Sequence, residues 1–169
     1  MNDKELARLL SDKELVEKKI ESYIRKKALY LREKDKREIE GHISKAMHNL
    51  EFIQEISSKF GDWKLVVCYY ASYHMALALA LDKGYSSKSH DATLCILIKH
   101  YFKVISADEI RMLNEVWLDN EDLLFYAQSK NEREKASYST RIIFDNANIE
   151  EIKLKTVLFV NKAKEILKD

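Results

Sequence analysis

Between Leu65 and Leu81 only Ser72 and His74 interrupt an otherwise apolar or aromatic run. Two positions two apart project toward nearly opposite sides of a helix, so the run leaves no solvent face. A helix that is apolar all round must be covered by neighbours on every side, and the spacing predicts the central helix of a bundle. A bilayer span is the competing reading. The run reaches only the bottom of the required range, about 17 residues, and Tyr69, Tyr70, Tyr73 and His74 would be costly in lipid. Gly84 can end the helix in the left-handed conformation. Ser89 can then cap a second helix, with Asp91 in its first turn and Leu94, Leu97, Ile98 and Tyr101 on one face.

What the chain lacks narrows the class further. Among 169 residues there is no proline, and glycine occurs only at Gly41, Gly61 and Gly84. That removes most of the turn chemistry of an all-β chain. The expectation is all-α: an up-and-down bundle of five or six helices, with 1–35 as an N-terminal helical extension and 36–169 as the bundle. A net charge of +1 gives no global attraction to nucleic acid or membrane. Cys68 and Cys95 sit in apolar helical patterns and read as buried free thiols of a reducing compartment. The opening MNDKELARLL is too charged for a signal peptide, so the expected location is cytoplasmic, with no membrane partner.

In chain order, 3–30 reads as helix, broken near Ser11-Asp12. The segment from Lys18 to Arg37 carries nine basic residues (Lys18, Lys19, Arg25, Lys26, Lys27, Arg32, Lys34, Lys36, Arg37) against three acidic ones, a local +6 that leaves −5 elsewhere. With Tyr23 and Tyr30 interleaved, it suits RNA phosphates or an acidic partner; as a plain solvated face it serves solubility. Residues 36–58 place Ile39, Ile43, Met47, Leu50, Ile53 and Ile56 on one stripe, and Trp63 is expected to pack at the following corner. Ser106 and Glu109 form a capping box, leading Ile110, Leu113 and Trp117 inward. A break is expected at Asp119 to Asp122, and a last helix capped by Asn148 and Glu151 carries Ile149, Ile152, Thr156, Phe159, Ala163 and Ile166.

Tyr69-Tyr70-Ala71, His74, Ala76, Ala78, Leu81, Lys83-Gly84-Tyr85 and Lys88-Ser89-His90, in that order, resemble the central signature of HEPN domains. These are small prokaryotic helical proteins that often accompany minimal nucleotidyltransferases. The resemblance implies a homodimer and a toxin–antitoxin setting, with a minimal nucleotidyltransferase, a nucleotide or RNA as partner. Active members carry arginine followed four to six residues later by histidine. RNA cleavage at a 2′-hydroxyl needs a proton-exchanging group near neutral pH and a cation to steady the phosphorane.

Where the family motif would begin this chain has Arg133, but Tyr138 stands in place of the histidine, and no histidine follows His100. Arg133-Glu-Lys-Ala-Ser-Tyr138 is similar to the RxxADY of a branch that lacks the catalytic pair. A phenol of pKa about 10 is a poor general base at neutral pH. The resemblance therefore implies a non-catalytic binding module, with Arg133, Tyr138, Tyr70, His74 and His90 as binding candidates and no catalytic residue. The alternatives are a metal-independent endoribonuclease using Arg133 with His74 or His90, and a helical interaction module without a nucleic-acid role.

Arg37 and His42 match the spacing literally but lie upstream of the signature, and short motifs recur by chance. Cys68 with His74 and Cys95 with His100 miss the i, i+4 ligand spacing, so neither metal nor cofactor is expected. Read alone, His74 is a core histidine bonded to a tyrosine or a backbone carbonyl.

Overall fold

The computed structural model describes residues 1–128 and 146–168. The chain builds the expected all-α bundle. Its helices are α1 (Asp3–Ser11), α2 (Lys13–Arg25), α3 (Lys36–Glu55), α4 (Gly61–Asp82), α5 (His90–Tyr101), α6 (Ala107–Gln128) and α7 (Asn146–Ile166). The opening stretch divides at Asp12, whose carboxylate accepts from the Leu15 amide and caps α2.

Helix α4 is the centre. It packs most extensively against α3, then against α7 and α6, with α5 also in contact. Of its apolar residues, Met75, Ala76, Ala78, Leu79 and Ala80 are fully enclosed. The stretch Ser58–Asp82 is long and apolar enough to cross a bilayer, yet 67% of that window is buried by the chain's own helices. The two buried polar residues of α4, Ser72 and Lys64, are paired inside the protein. Ser72 Oγ donates to Tyr69 O at 3.0 Å and receives the Trp117 indole N–H at 3.0 Å. Lys64, 6% exposed, pairs with Glu150 of α7 at 2.6 Å.

Several local expectations fail for identifiable reasons. The first helical stretch ends at Arg25, and 29–31 is strand β1 (Leu29–Leu31), paired antiparallel with β2 (Tyr85–Ser87) in the register Leu29↔Ser87 and Leu31↔Tyr85. Lys27 adopts φ +57°, its amide bonds Ile24 O and the Ala28 amide bonds Tyr23 O. That is a Schellman stop built on lysine, and without glycine the sequence does not advertise it. Trp63 is 54% exposed, since the described residues do not cover the corner it shares with the 3₁₀ turn Ser58–Phe60. Helix α6 runs unbroken through 119–122, where no proline or glycine stops it. Asn148 lies inside α7, not at its cap. The Ser106 capping box does form, with the Ser106 amide to Glu109 Oε2 at 2.8 Å and the Glu109 amide to Ser106 Oγ at 3.2 Å.

Gly84 ends the turn after α4 at φ +76°, and an added Cβ would stand 3.1 Å from Arg32 O. Opposite outcomes are expected at the two left-handed residues. Gly84→Ala should lower unfolding free energy by about 1–2 kcal/mol. Lys27→Gly should raise it by about 0.5–1 kcal/mol, its cation being exposed. Urea unfolding of both variants measures the pair, and a destabilised Lys27→Gly would contradict the assignment of that stop.

Candidate functional site

Two adjacent faces of α4 carry the polar chemistry of the signature. Tyr69 and Tyr73 occupy one, Tyr70 and His74 the next, because residues four apart stack on a helix. On the first face the Tyr69 hydroxyl and His90 Nε2 are 2.9 Å apart. Tyr73 lies 4.4 Å from His90 and 5.3 Å from Trp117, ring centre to ring centre, in tilted and edge-on geometry. The Ser89 cap of α5, its hydroxyl accepting the Ala92 amide at 3.4 Å, sets His90 at the start of that helix. Outside this cluster opens a polar cleft of about 340 Å³, lined by Lys88, Ser89, His90, Asp91, Asn114 and Trp117 together with Met1. Asn114, 2% exposed, donates to Met1 O at 3.0 Å on its wall.

On the second face His74 meets a partner from another helix. His74 Nδ1 and His42 Nδ1 of α3 lie 2.9 Å apart, with ring centres at 5.1 Å. One ring must donate a proton to the other across that gap. Tyr70 stacks on His74, with ring centres 6.4 Å apart and planes 25° from parallel. Burial, then the neighbouring His42 and Lys45, lower the His74 pKa to about 4. Burial also lowers that of His42, with Glu38 opposing and Lys45 assisting. At neutral pH the pair is uncharged and holds a basic nitrogen at a half-buried surface.

Of the binding candidates that the structure describes, Tyr70 and His74 lie apart from His90. Tyr70 and His74 face α3, while His90 sits with Tyr69, Tyr73 and Trp117 on the side of α5 and α6. Arg133 and Tyr138 lie outside the described residues. The tyrosine or carbonyl partner expected for His74 is a histidine instead. The Arg37-to-His42 spacing lies upstream of the signature and carries no sign of the cross-helix contact; the one sequence signal for it is the place of His42 beside Ile43 at the edge of the α3 stripe.

The basic segment is largely engaged. Lys18 pairs with Glu14, Lys19 with Glu5, Arg25 with Glu21, Arg32 with Glu38 and Lys34 with Asp82. Lys26, Lys27, Lys36 and Arg37 are exposed. Lys34 reaches a hub at the end of α4. There burial pushes the Asp82 carboxyl up, but hydrogen bonds from Lys34, Lys83 and Tyr101 pull it down to about 2.

The chain is 30% identical over 133 residues to "Putative toxin MJ0142" of Methanocaldococcus jannaschii, an alignment covering 78% of this chain and 83% of that one. The chain belongs to the family of MJ0142. No protein-family model matches it, and no solved structure does. Shared length on this scale means that the match to MJ0142 extends well beyond the signature segment.

The histidine pair carries a pH dependence whose sign follows from the lowered values. An imidazole whose folded pKa lies below its unfolded value of about 6.5 resists charging in the fold. Its contribution is complete above pH 6.5 and is lost as pH falls toward the folded value of about 4 for His74. Stability should drop by about 1–2 kcal/mol across that window, after allowance for solvent screening. The drop should shrink in His74→Gln, measured by urea unfolding at closely spaced pH.

Proposed function

We propose that this protein is a toxin-like member of the HEPN group that acts by binding and not by cleavage. In this reading it is a cytoplasmic homodimer paired with a minimal nucleotidyltransferase, and it recognises a nucleotide or RNA. The observation that carries the reading is the ordered signature from Tyr69 to His90 in a chain whose relative is named as a toxin. The tyrosine at position 138 supports the non-catalytic half, since a phenol, with a reference pKa of about 10, is a poor general base at neutral pH.

Two surface features support the assembly. Phe52, Phe60 and Trp63 are 51%, 46% and 54% exposed around one groove at the α3–α4 corner. Glu55 and Lys59 flank this groove, so a two-fold copy could set each against the other's opposite charge. The exposed Lys26, Lys27, Lys36 and Arg37 supply cations for phosphate.

A second reading, the metal-independent endoribonuclease, gains one observation. His42 completes the Arg37-to-His42 spacing and is bonded to His74, which offers a neutral imidazole at pH 7. Held nitrogen to nitrogen, however, the pair presents one proton-exchanging unit. Acid and base catalysis on opposite sides of a phosphate would need a second group.

Purified protein is expected to leave RNA uncut above background in chelator. Binding of a fluorescent oligoribonucleotide should weaken steeply with salt, and neutralising Lys26, Lys27, Lys36 and Arg37 together should flatten that slope by up to about four counterions. Arg133→Ala should weaken the complex by about 1.5–3 kcal/mol if a charge-assisted bond is lost. Cleavage that co-purifies with the protein and vanishes in His42→Ala or Arg133→Ala would replace the binding reading with the nuclease.

Sedimentation at micromolar concentration should give a dimer of the 19.9 kDa chain. Trp63→Glu should shift it toward monomer, whereas a dimer unchanged by that substitution would place the interface elsewhere.

A further inference from the structure

Resting on the nucleotide-or-RNA reading above, we propose that Tyr30, Lys88 and Asn114 form a site for two successive nucleotides of a single-stranded RNA. One base stacks on Tyr30, Lys88 takes the phosphate between them, and the next base enters the polar cleft and bonds the Asn114 amide. Side chains alternate across the β1–β2 ladder. Leu29 is fully enclosed, while Tyr30, paired with Ser86, lies on the other face and is 36% exposed. The Lys88 amide carries the pairing one step further, donating to Ala28 O at 2.9 Å, and its Nζ lies 4.9 Å from the centre of the Tyr30 ring. Lys88 also lines the cleft of about 340 Å³, with Asn114 on its wall. One flexible cation therefore joins an exposed aromatic ring to a cleft at the small end of the range for ligand sites.

Asn114 supplies the observation that points to a ligand. The residue is 2% exposed, and its Nδ2 donates to Met1 O at 3.0 Å, which fixes which way the amide faces. Among the described residues its Oδ1 accepts no hydrogen bond. Nor is Oδ1 sealed in the core, where Thr156 Oγ1 is the one unpaired side-chain atom among those residues. Oδ1 therefore opens on the cleft, beside the second Nδ2 hydrogen. An acceptor next to a donor complements the donor–acceptor pair that an unstacked base presents on its Watson–Crick edge.

The charges around the site suit a phosphate between the two bases. Asp91, the carboxylate on the cleft wall, is paired with the Met1 α-amino group at 3.0 Å. Arg32, near the far end of the ladder, is tied to Glu38 at 2.9 Å. Lys88 has no carboxylate partner among the described residues. Its ammonium covers Tyr30 in the free protein, but an exposed cation–π contact is weaker than a base stacked on the ring. An incoming base displaces the ammonium, whose three donors then turn to the phosphate.

The test titrates the full chain, by fluorescence anisotropy, with a labelled oligouridylate and with the same strand made abasic. Tyr30→Ala should weaken binding of the base-bearing strand about tenfold or more, while Tyr30→Phe keeps it within about twofold. Lys88→Ala should weaken it about threefold to tenfold and lower the salt slope by about one. Asn114→Ala should also cost about threefold to tenfold, with circular dichroism checking that the helices persist. Should that variant unfold, Trp117 on the cleft wall reports instead: in a Trp63→Phe background its fluorescence should change when the base-bearing strand binds. Uridine monophosphate fills only one of the two base positions and should compete about tenfold less well than the strand. The site is overturned by equal binding of the abasic strand, by binding unchanged in Tyr30→Ala and Lys88→Ala, by a silent Trp117, or by equal competition from the monophosphate. Each of those results leaves the nucleotide-or-RNA reading standing. Saturable binding of neither strand nor monophosphate would overturn both.

Discussion

Burying most of α4 imposes one rule on everything around it: each buried polar atom of that helix needs a partner inside the protein. An unpaired buried donor or acceptor costs about 1–3 kcal/mol, a large share of a marginal stability. The two residues that interrupt the apolar run are where the rule is visible. Ser72 is satisfied by Trp117 of α6 and by the backbone of its own helix. His74 is satisfied by His42 of α3. These bonds fix how α6 and α3 lie on the central helix, which apolar contact alone would leave freer to slide. The signature residues are thus first a solution to a packing problem, and their chemistry is exposed at the margins of that solution.

How much of this could be read from the sequence differs by kind of interaction. The core helix, the Ser89 and Ser106 caps and the left-handed Gly84 depend on neighbours a few residues away, and the residues state them directly. Features that join distant segments were not legible. The pairing of β1 with β2 spans more than fifty residues and begins after a lysine in a conformation usually signalled by glycine. The His42–His74 contact links positions 32 apart, so periodicity placed His42 on a helix without showing what it would meet. Trp63 failed for a different reason: a large apolar side chain signals burial against something, and at this corner the described residues supply nothing to cover it.

The two polar faces of α4 separate structural and chemical roles. Around His90 the rings of Tyr69, Tyr73 and Trp117 close into the core, and the cleft beyond them is walled mainly by polar groups that already have partners. Around His74 the environment is half-buried and its hydrogen bond uses one nitrogen of each ring. Family membership with MJ0142 spans both faces. A reading of function that rests on only one of them would leave the other as an unexplained concentration of aromatic and imidazole groups.

The small ladder of β1 and β2 also bears on how the protein behaves at high concentration. A two-stranded sheet has two open edges, and open edges invite edge-to-edge growth. Here each strand is three residues long, with Gly84 closing one end of the ladder and Lys27 the other. Another strand docking beside β1 could gain only a few backbone bonds. It would also have to strip water from the exposed charges of Lys26, Lys27 and Arg32. Leu31, 67% exposed, would otherwise be a nucleus for aggregation. The brevity of the strands and their cationic border act as a gatekeeper against fibrous association.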